Sequence, residues 1–160
     1  MNLKQYMMKT GVTKKAYVDL WIDNDLIPGA SRIDGVYTFP DSSRRPYRDS
    51  HLKPGLPAEK IRAHIIKAAL LRQHISASTC FMSNGEFAAM ISDLDNAGLL
   101  SVRIEDGITY YDSTQKSKAS ENQSLRAIGK FVQECLAITA NNVAEGATKA
   151  VIDKLITPRL

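Results

Sequence analysis

Apolar and polar positions along this chain fall into blocks, and the period of each block separates helix from strand. Leu3, Tyr6 and Met7 recur at helical spacing and predict a short amphipathic helix over 3–9, which Thr10-Gly11 interrupts. A glycine there suits a left-handed turn between two helices. Thr13 reads as the N-cap of a second helix over 14–23. On that helix Ala16 or Tyr17, Leu20 and Trp21 are expected to pack inward with Val12, leaving Lys14, Lys15, Val18 and Asp19 outside. Ile27-Pro28-Gly29 turns the chain out of the helix. Residues 31–33 and 36–39 then read as two strands about Asp34-Gly35, a dipeptide that selects the type I′ hairpin turn, and Pro40 ends the hairpin.

The run 41–57 holds Pro46, Pro54, Gly55 and Pro57 among polar side chains and predicts little regular structure. We read 49–57 as a linker between a unit at 1–48 and a second unit at 58–114. The second unit opens with a helix over 58–75, where Ile61, Ile65, Ala68 or Ala69 and Arg72 share a line and Ile66, Leu70 and Leu71 widen it. Residues 76–82 show no period. Ser83-Asn84-Gly85-Glu86 is a capping-box signature for a helix reaching Asn96, which buries Phe87, Met90, Ile91 and Leu94 and stops at Gly98. Strands at 99–104 and 108–112 flank Asp106-Gly107. Helix, helix and hairpin thus follow each other twice.

Residues 115–119 read as a polar break, and Ser120 with Gln123 as the cap of a C-terminal segment over 125–156, one long helix or two shorter ones bending at Gly146. Leu125, Ile128, Val132 and Cys135 make a heptad-like seam; Val143, Ala147, Val151 and Leu155 restart it at a spacing of four. A long terminal helix needs a partner for such a stripe, either its own chain or a second copy. We expect self-association through 119–158, with a dimer favoured. The fold class expected is mainly α with two short β-hairpins: an N-terminal helix-turn-helix with a wing, a central unit of the same order, and a long C-terminal helix.

Composition narrows the function. The net charge is +4 over 160 residues. Residues 1–55 hold nine Lys and Arg against six Asp and Glu, the middle of the chain is slightly acidic, and residues 118–160 are basic again. A helix pair followed by a hairpin that carries Arg32 and runs on into Arg44, Arg45 and Arg48 is a way to hold DNA, with one helix for the major groove and the hairpin for the backbone. The central helix instead presents Glu86, Ser92, Asp93 and Asp95, and its hairpin mixes Arg103 with Glu105 and Asp106. Such a face repels phosphate, so a protein contact or a structural role is expected of it. Cys80 and Cys135 share no metal-ligand spacing and sit among apolar residues, as buried thiols of a cytoplasmic protein do. Met1–Thr10 lacks the apolar core of a signal peptide, and no run approaches the roughly 20 apolar residues that span a bilayer.

His51, His64 and His74 are isolated, with no i, i+4 pair for a metal. There is no Gly-x-Ser-x-Gly, P-loop or Cys-x-x-Cys, so no enzyme activity, metal or cofactor is expected.

Thr10-Gly11-Val12-Thr13 at the turn, Ile27-Pro28-Gly29-Ala30, and Tyr37-Thr38-Phe39-Pro40-Asp41 with Pro46 beyond give residues 3–48 a likeness. This stretch resembles the MerR/excisionase-like winged helix-turn-helix domain of small regulators and of phage, plasmid and integrative-element proteins. Phe39 stands where that family commonly has Ile, and Ser42-Ser43 where Ala is common. The resemblance implies that the second helix enters the major groove and the wing follows the phosphates. It makes Thr13, Lys14, Lys15, Tyr17 and Val18 candidates on the helix, Arg32 and Tyr37 on the wing, and Arg44, Arg45 and Arg48 just after it. Lysine and arginine neutralise phosphates, and arginine also grips guanine. The function expected is a sequence-specific binder of double-stranded DNA, regulating a bacterial, phage or mobile-element locus. An accessory role in excision, partition or conjugation and a protein adaptor that never touches DNA are the alternatives.

Overall fold

Asn2 starts the fold. Its side chain accepts the Gln5 amide at 2.9 Å while the Gln5 side chain accepts the Asn2 amide at 2.9 Å, a reciprocal cap for α1 (Leu3–Thr10). The computed structural model describes residues 1–119 and 125–142, with side-chain surroundings for 1–119 and 128–138. Gly11 ends α1 at φ +72°, and α2 (Lys15–Asp23) follows after a three-residue break. The hairpin β1 (Ser31–Ile33) and β2 (Val36–Thr38) pairs Ile33 with Val36 across a turn where Asp34 and Gly35 both have positive φ. That is the turn its Asp-Gly dipeptide specifies.

The central unit comprises α3 (Ala58–Leu70), α4 (Asn84–Asn96) and the antiparallel pair β3 (Leu100–Glu105) and β4 (Ile108–Ser113). Ser83 caps α4 by accepting the Glu86 amide at 3.2 Å. At the other end Gly98 donates to Asp95 and Leu99 to Leu94, both at 2.9 Å, which satisfies the last carbonyls. The helix expected over 58–75 stops at Leu70. Arg72 adopts φ +54°, and His74 leaves the helix to bridge Pro46. The polar break at 115–119 carries one more turn, α5 (Gln115–Lys118), capped by Thr114. Finally α6 (Leu125–Asn142) lies along α3. The chain is mainly α with two short β-hairpins.

Two apolar clusters form. The first gathers Tyr6, Val12, Val18, Trp21, Ile27 and Phe39, with Tyr6 and Phe39 stacked at 4.2 Å. The second gathers the buried faces of α3, α4, β3 and α6. Ile128, Val132 and Cys135 belong to this second cluster, against α3 of the same chain. The expectation that these three face a second copy is therefore corrected: α3 carries enough aliphatic surface to cover the seam in cis. Gly129 makes the approach close, since a Cβ there would lie 3.6 Å from the Ala63 Cβ. The Leu125 side chain, the Ser120–Gln123 cap, and Val143, Val151 and Leu155 lie outside the described residues.

Residues 41–57 contain no helix or strand beyond the Pro46–His74 bridge, yet they are packed. Ser43, Arg44, Tyr47 and Leu52 are buried, and Tyr47 and Leu52 join the central cluster. The Tyr47 amide donates to the His74 carbonyl at 2.7 Å and the His74 amide to Arg45 at 2.8 Å. Both cysteines are buried and neither forms a disulfide; burial pushes Cys80 up to about 12 and Cys135 to about 11.

Candidate nucleic-acid interface

Thr13, Lys14, Lys15, Ala16 and Tyr17 are five consecutive exposed residues where α2 begins. Thr13 does not cap the helix. Lys14 holds the N-cap position, with no side-chain bond to the first turn, because the helix starts one residue later than its sequence suggests. The Tyr17 amide donates to the Lys14 carbonyl at 3.2 Å, while the Lys15 and Ala16 amides at the start of α2 have no side-chain cap, beside two lysines that oppose the helix dipole. Tyr17 is exposed and stacks on Trp21 with ring centroids 6.2 Å apart.

Val18 corrects the sequence reading: it is 0% exposed and sits in the first apolar cluster, so it cannot reach a base edge. Leu20, expected inside, is 48% exposed. The buried line of α2 runs through Val18 and Trp21 rather than through Leu20.

The hairpin is held against α2 through two carboxylates, Asp19 above all. Asp19 accepts from the Tyr37 hydroxyl, from Arg32 at 2.8 Å and from Lys15 at 3.1 Å, while Arg32 also reaches Asp23 at 3.0 Å. Lys15 lies over the Tyr37 ring at 5.2 Å. The Tyr37 hydroxyl first, then Lys15 and Arg32, hold the Asp19 carboxyl down to about 2. Sequence pattern alone does not mark Asp19 as a site residue, although Asp19 and Asp23 stand one turn apart on the helix and that spacing is legible in the sequence. Residues 13–38 together carry three cations against four carboxylates.

The three arginines beyond the wing separate. Arg44 is corrected as a DNA contact: it is 8% exposed, pairs with Asp112, donates to the Tyr111 carbonyl at 3.1 Å and stacks on Tyr110 at 4.8 Å. Its guanidinium fastens the first unit to β4. Arg45 is exposed, 5.8 Å over the Trp21 ring, and Arg48 is exposed beside Leu20, Trp21 and Phe81 in a shallow cleft. The second hairpin's turn is also occupied, since Asp106 accepts the Ser42 amide at 3.2 Å and Tyr110 bonds the Ser42 hydroxyl at 2.8 Å. Glu86, Ser92, Asp93 and Asp95 are exposed on α4.

His64 is buried against the Tyr47 hydroxyl at 2.7 Å, and His74 lies edge-on to Tyr110. Burial lowers both histidines, His74 to about 4 with Arg44 adding to the effect. Among the described residues no group of three His, Cys, Asp or Glu is placed to hold a metal ion, and no helix is long and apolar enough to cross a membrane. Compared with family models, curated proteins and solved structures, the chain finds no match in any of the three.

Proposed function

We propose that the protein binds double-stranded DNA, with the start of α2 in the major groove and the β1–β2 hairpin along the backbone. One observation carries the reading. The exposed N-terminal turn of α2 has open amides and two lysines, and the hairpin beside it is fixed by the Asp19 contacts. A phosphate at that turn relieves the repulsion between the lysines and the dipole and satisfies the amides. Tyr17 and Lys14 then face base edges, and Arg45 and Arg48 face flanking phosphates. The resemblance of residues 3–48 to MerR/excisionase-like domains supports the same reading and points to a regulator or a recombination accessory factor of a mobile element. A second copy of the chain would pair two such helices on a two-half-site target.

The adaptor reading rests on a different observation, the excess of carboxylate over cation in residues 13–38 together with exposed Met8, Leu20, Ile33 and Val36. Titration of the protein onto random duplex DNA at low and moderate salt separates the two, followed by selection of bound sequences from a pool. DNA binding predicts affinity that falls steeply with salt and a pool that converges on a motif. Lys14→Glu is expected to lower the salt slope by about one and weaken every sequence. Absence of binding at low salt overturns the DNA reading and leaves the adaptor.

A further inference from the structure

A cleft of about 500 Å³ lies where four stretches of chain meet: Lys9 and Thr10 ending α1, residues 41–45, residues 71–73 after α3, and Arg103 with Glu105 on β3. Five cations line it, and the nearby carboxylates are already engaged. Asp112 takes Arg44 and Arg103, Glu105 takes Arg103, and Asp41 lies 3.4 Å from the Met1 amino group. Lys9, Arg45 and Arg72 form no ion pair among the described residues, and Lys9 acts on the Asp106 carboxyl only at longer range. Lys9 donates to the Asp41 carbonyl and Arg45 rests over Trp21.

Two further observations point to a ligand. Ser43 is 2% exposed and lines the cleft, and its hydroxyl has no hydrogen-bond partner among the described residues. Buried hydroxyls are ordinarily satisfied. Arg72 closes α3 with the bond pattern that Gly98 uses after α4: its amide donates to Ala69 at 3.1 Å and that of Gln73 to Ala68 at 2.9 Å. A glycine suits that position, and the chain instead holds an arginine there at φ +54°.

We infer that this cleft binds a phosphate group. Cations arriving from three separate stretches suit a tetrahedral anion with several acceptor oxygens better than a planar carboxylate, which one guanidinium fork satisfies. Lys9, Arg45, Arg72 and the Ser43 hydroxyl supply the donors. Because the end of α1, the connecting segment and the turn after α3 all contribute donors, the bound phosphate ties the two units together. The inference goes beyond the DNA reading and shares only Arg45 with it; no residue of α2 lines the cleft.

The test is calorimetric titration of the full chain with inorganic phosphate, with chloride at matched ionic strength as control. Saturable uptake is expected for phosphate only. Arg72→Gly is expected to bind phosphate at least about tenfold more weakly, yet to unfold at the same temperature or higher without phosphate, because glycine relieves the left-handed backbone. An arginine with a merely structural role gives the opposite pair of results. Ser43→Ala removes an unsatisfied hydroxyl, keeps the fold, and is expected to weaken uptake about threefold. No saturable uptake by the parent chain, or unchanged affinity in both variants, overturns the inference. Competition identifies the source of the phosphate. Displacement by duplex DNA assigns the cleft to the DNA backbone; displacement by a mononucleotide but not by duplex assigns it to a free phosphorylated ligand. Lys14→Glu leaves phosphate uptake intact, so failure of this inference and failure of the DNA reading are read separately.

Discussion

At the residue scale, Asp19 decides how the hairpin and α2 relate. One carboxylate gathers a tyrosine, an arginine and a lysine, two of which the sequence marks as wing residues. Asp19→Asn removes the charge that holds Lys15 and one side of Arg32, and leaves the hairpin tied to α2 through Arg32 and Asp23 alone. On the DNA reading, affinity for random duplex at low salt rises, since one negative charge leaves the surface and Lys15 is released. Discrimination between selected and random sequence falls. Anisotropy titrations on the two DNAs check both halves, and unchanged discrimination means that the hairpin is held by something else. The acid sensitivity of this site follows the usual carboxylate sign. The folded Asp19 carboxyl titrates near 2 and the unfolded one near its ordinary value. Its contribution is therefore present above about pH 4 and disappears as pH falls toward 2.

At the element scale, local rules carried far. The Asp-Gly dipeptides specify both hairpin turns, and Ser83 and Gly98 bound α4 where their residue types indicate. The same rules fail where tertiary contacts take over. Thr13 is one position too early to cap α2, and Val18 falls inside because α2 carries apolar residues on more than one face. Arg44 looks like linker charge until β4 brings Asp112 to it, a partner 68 residues away. Lys9, Arg45, Arg72 and Ser43 meet only in the folded chain, so no spacing announces their cleft. The α3–α6 seam supplies the test at this scale. The space beside Gly129 accepts a methyl group in ordinary contact with Ala63. Gly129→Ala is expected to stabilise the protein by up to about 1 kcal/mol through helix propensity, and Gly129→Leu to destabilise it by about 1–3 kcal/mol through overpacking. Urea unfolding of the pair measures both; equal behaviour of the two variants contradicts the close crossing.

At the scale of the whole molecule, the two apolar clusters are joined by a segment that each of them holds. The Tyr6 hydroxyl donates to the Arg44 carbonyl at 3.1 Å and Arg45 covers Trp21, while Arg44 reaches Asp112 and Tyr47 reaches His64. A fragment of residues 1–57 loses the second set of contacts. It is expected to melt well below the full chain and without its cooperativity, as circular dichroism would report. Mild acid probes the same junction. His74 titrates near 4 when folded and near its ordinary value when unfolded, and His64 is lowered as well. The unfolded chain then binds more protons between about pH 6.5 and 4, so stability falls as pH drops through that window. A melting temperature that is flat from pH 7 to 4.5 contradicts this account. The junction also bears on how such a chain can be rearranged. Pro54-Gly55 is exposed and open around the glycine, so extra residues inserted there ride outside. Ten residues earlier, the proline-bearing stretch that looks like spare length is gripped from both sides. Recombination that swapped the first unit for another would inherit either a mismatched Arg44 or a mismatched Tyr47, and so the two halves of this protein must evolve together.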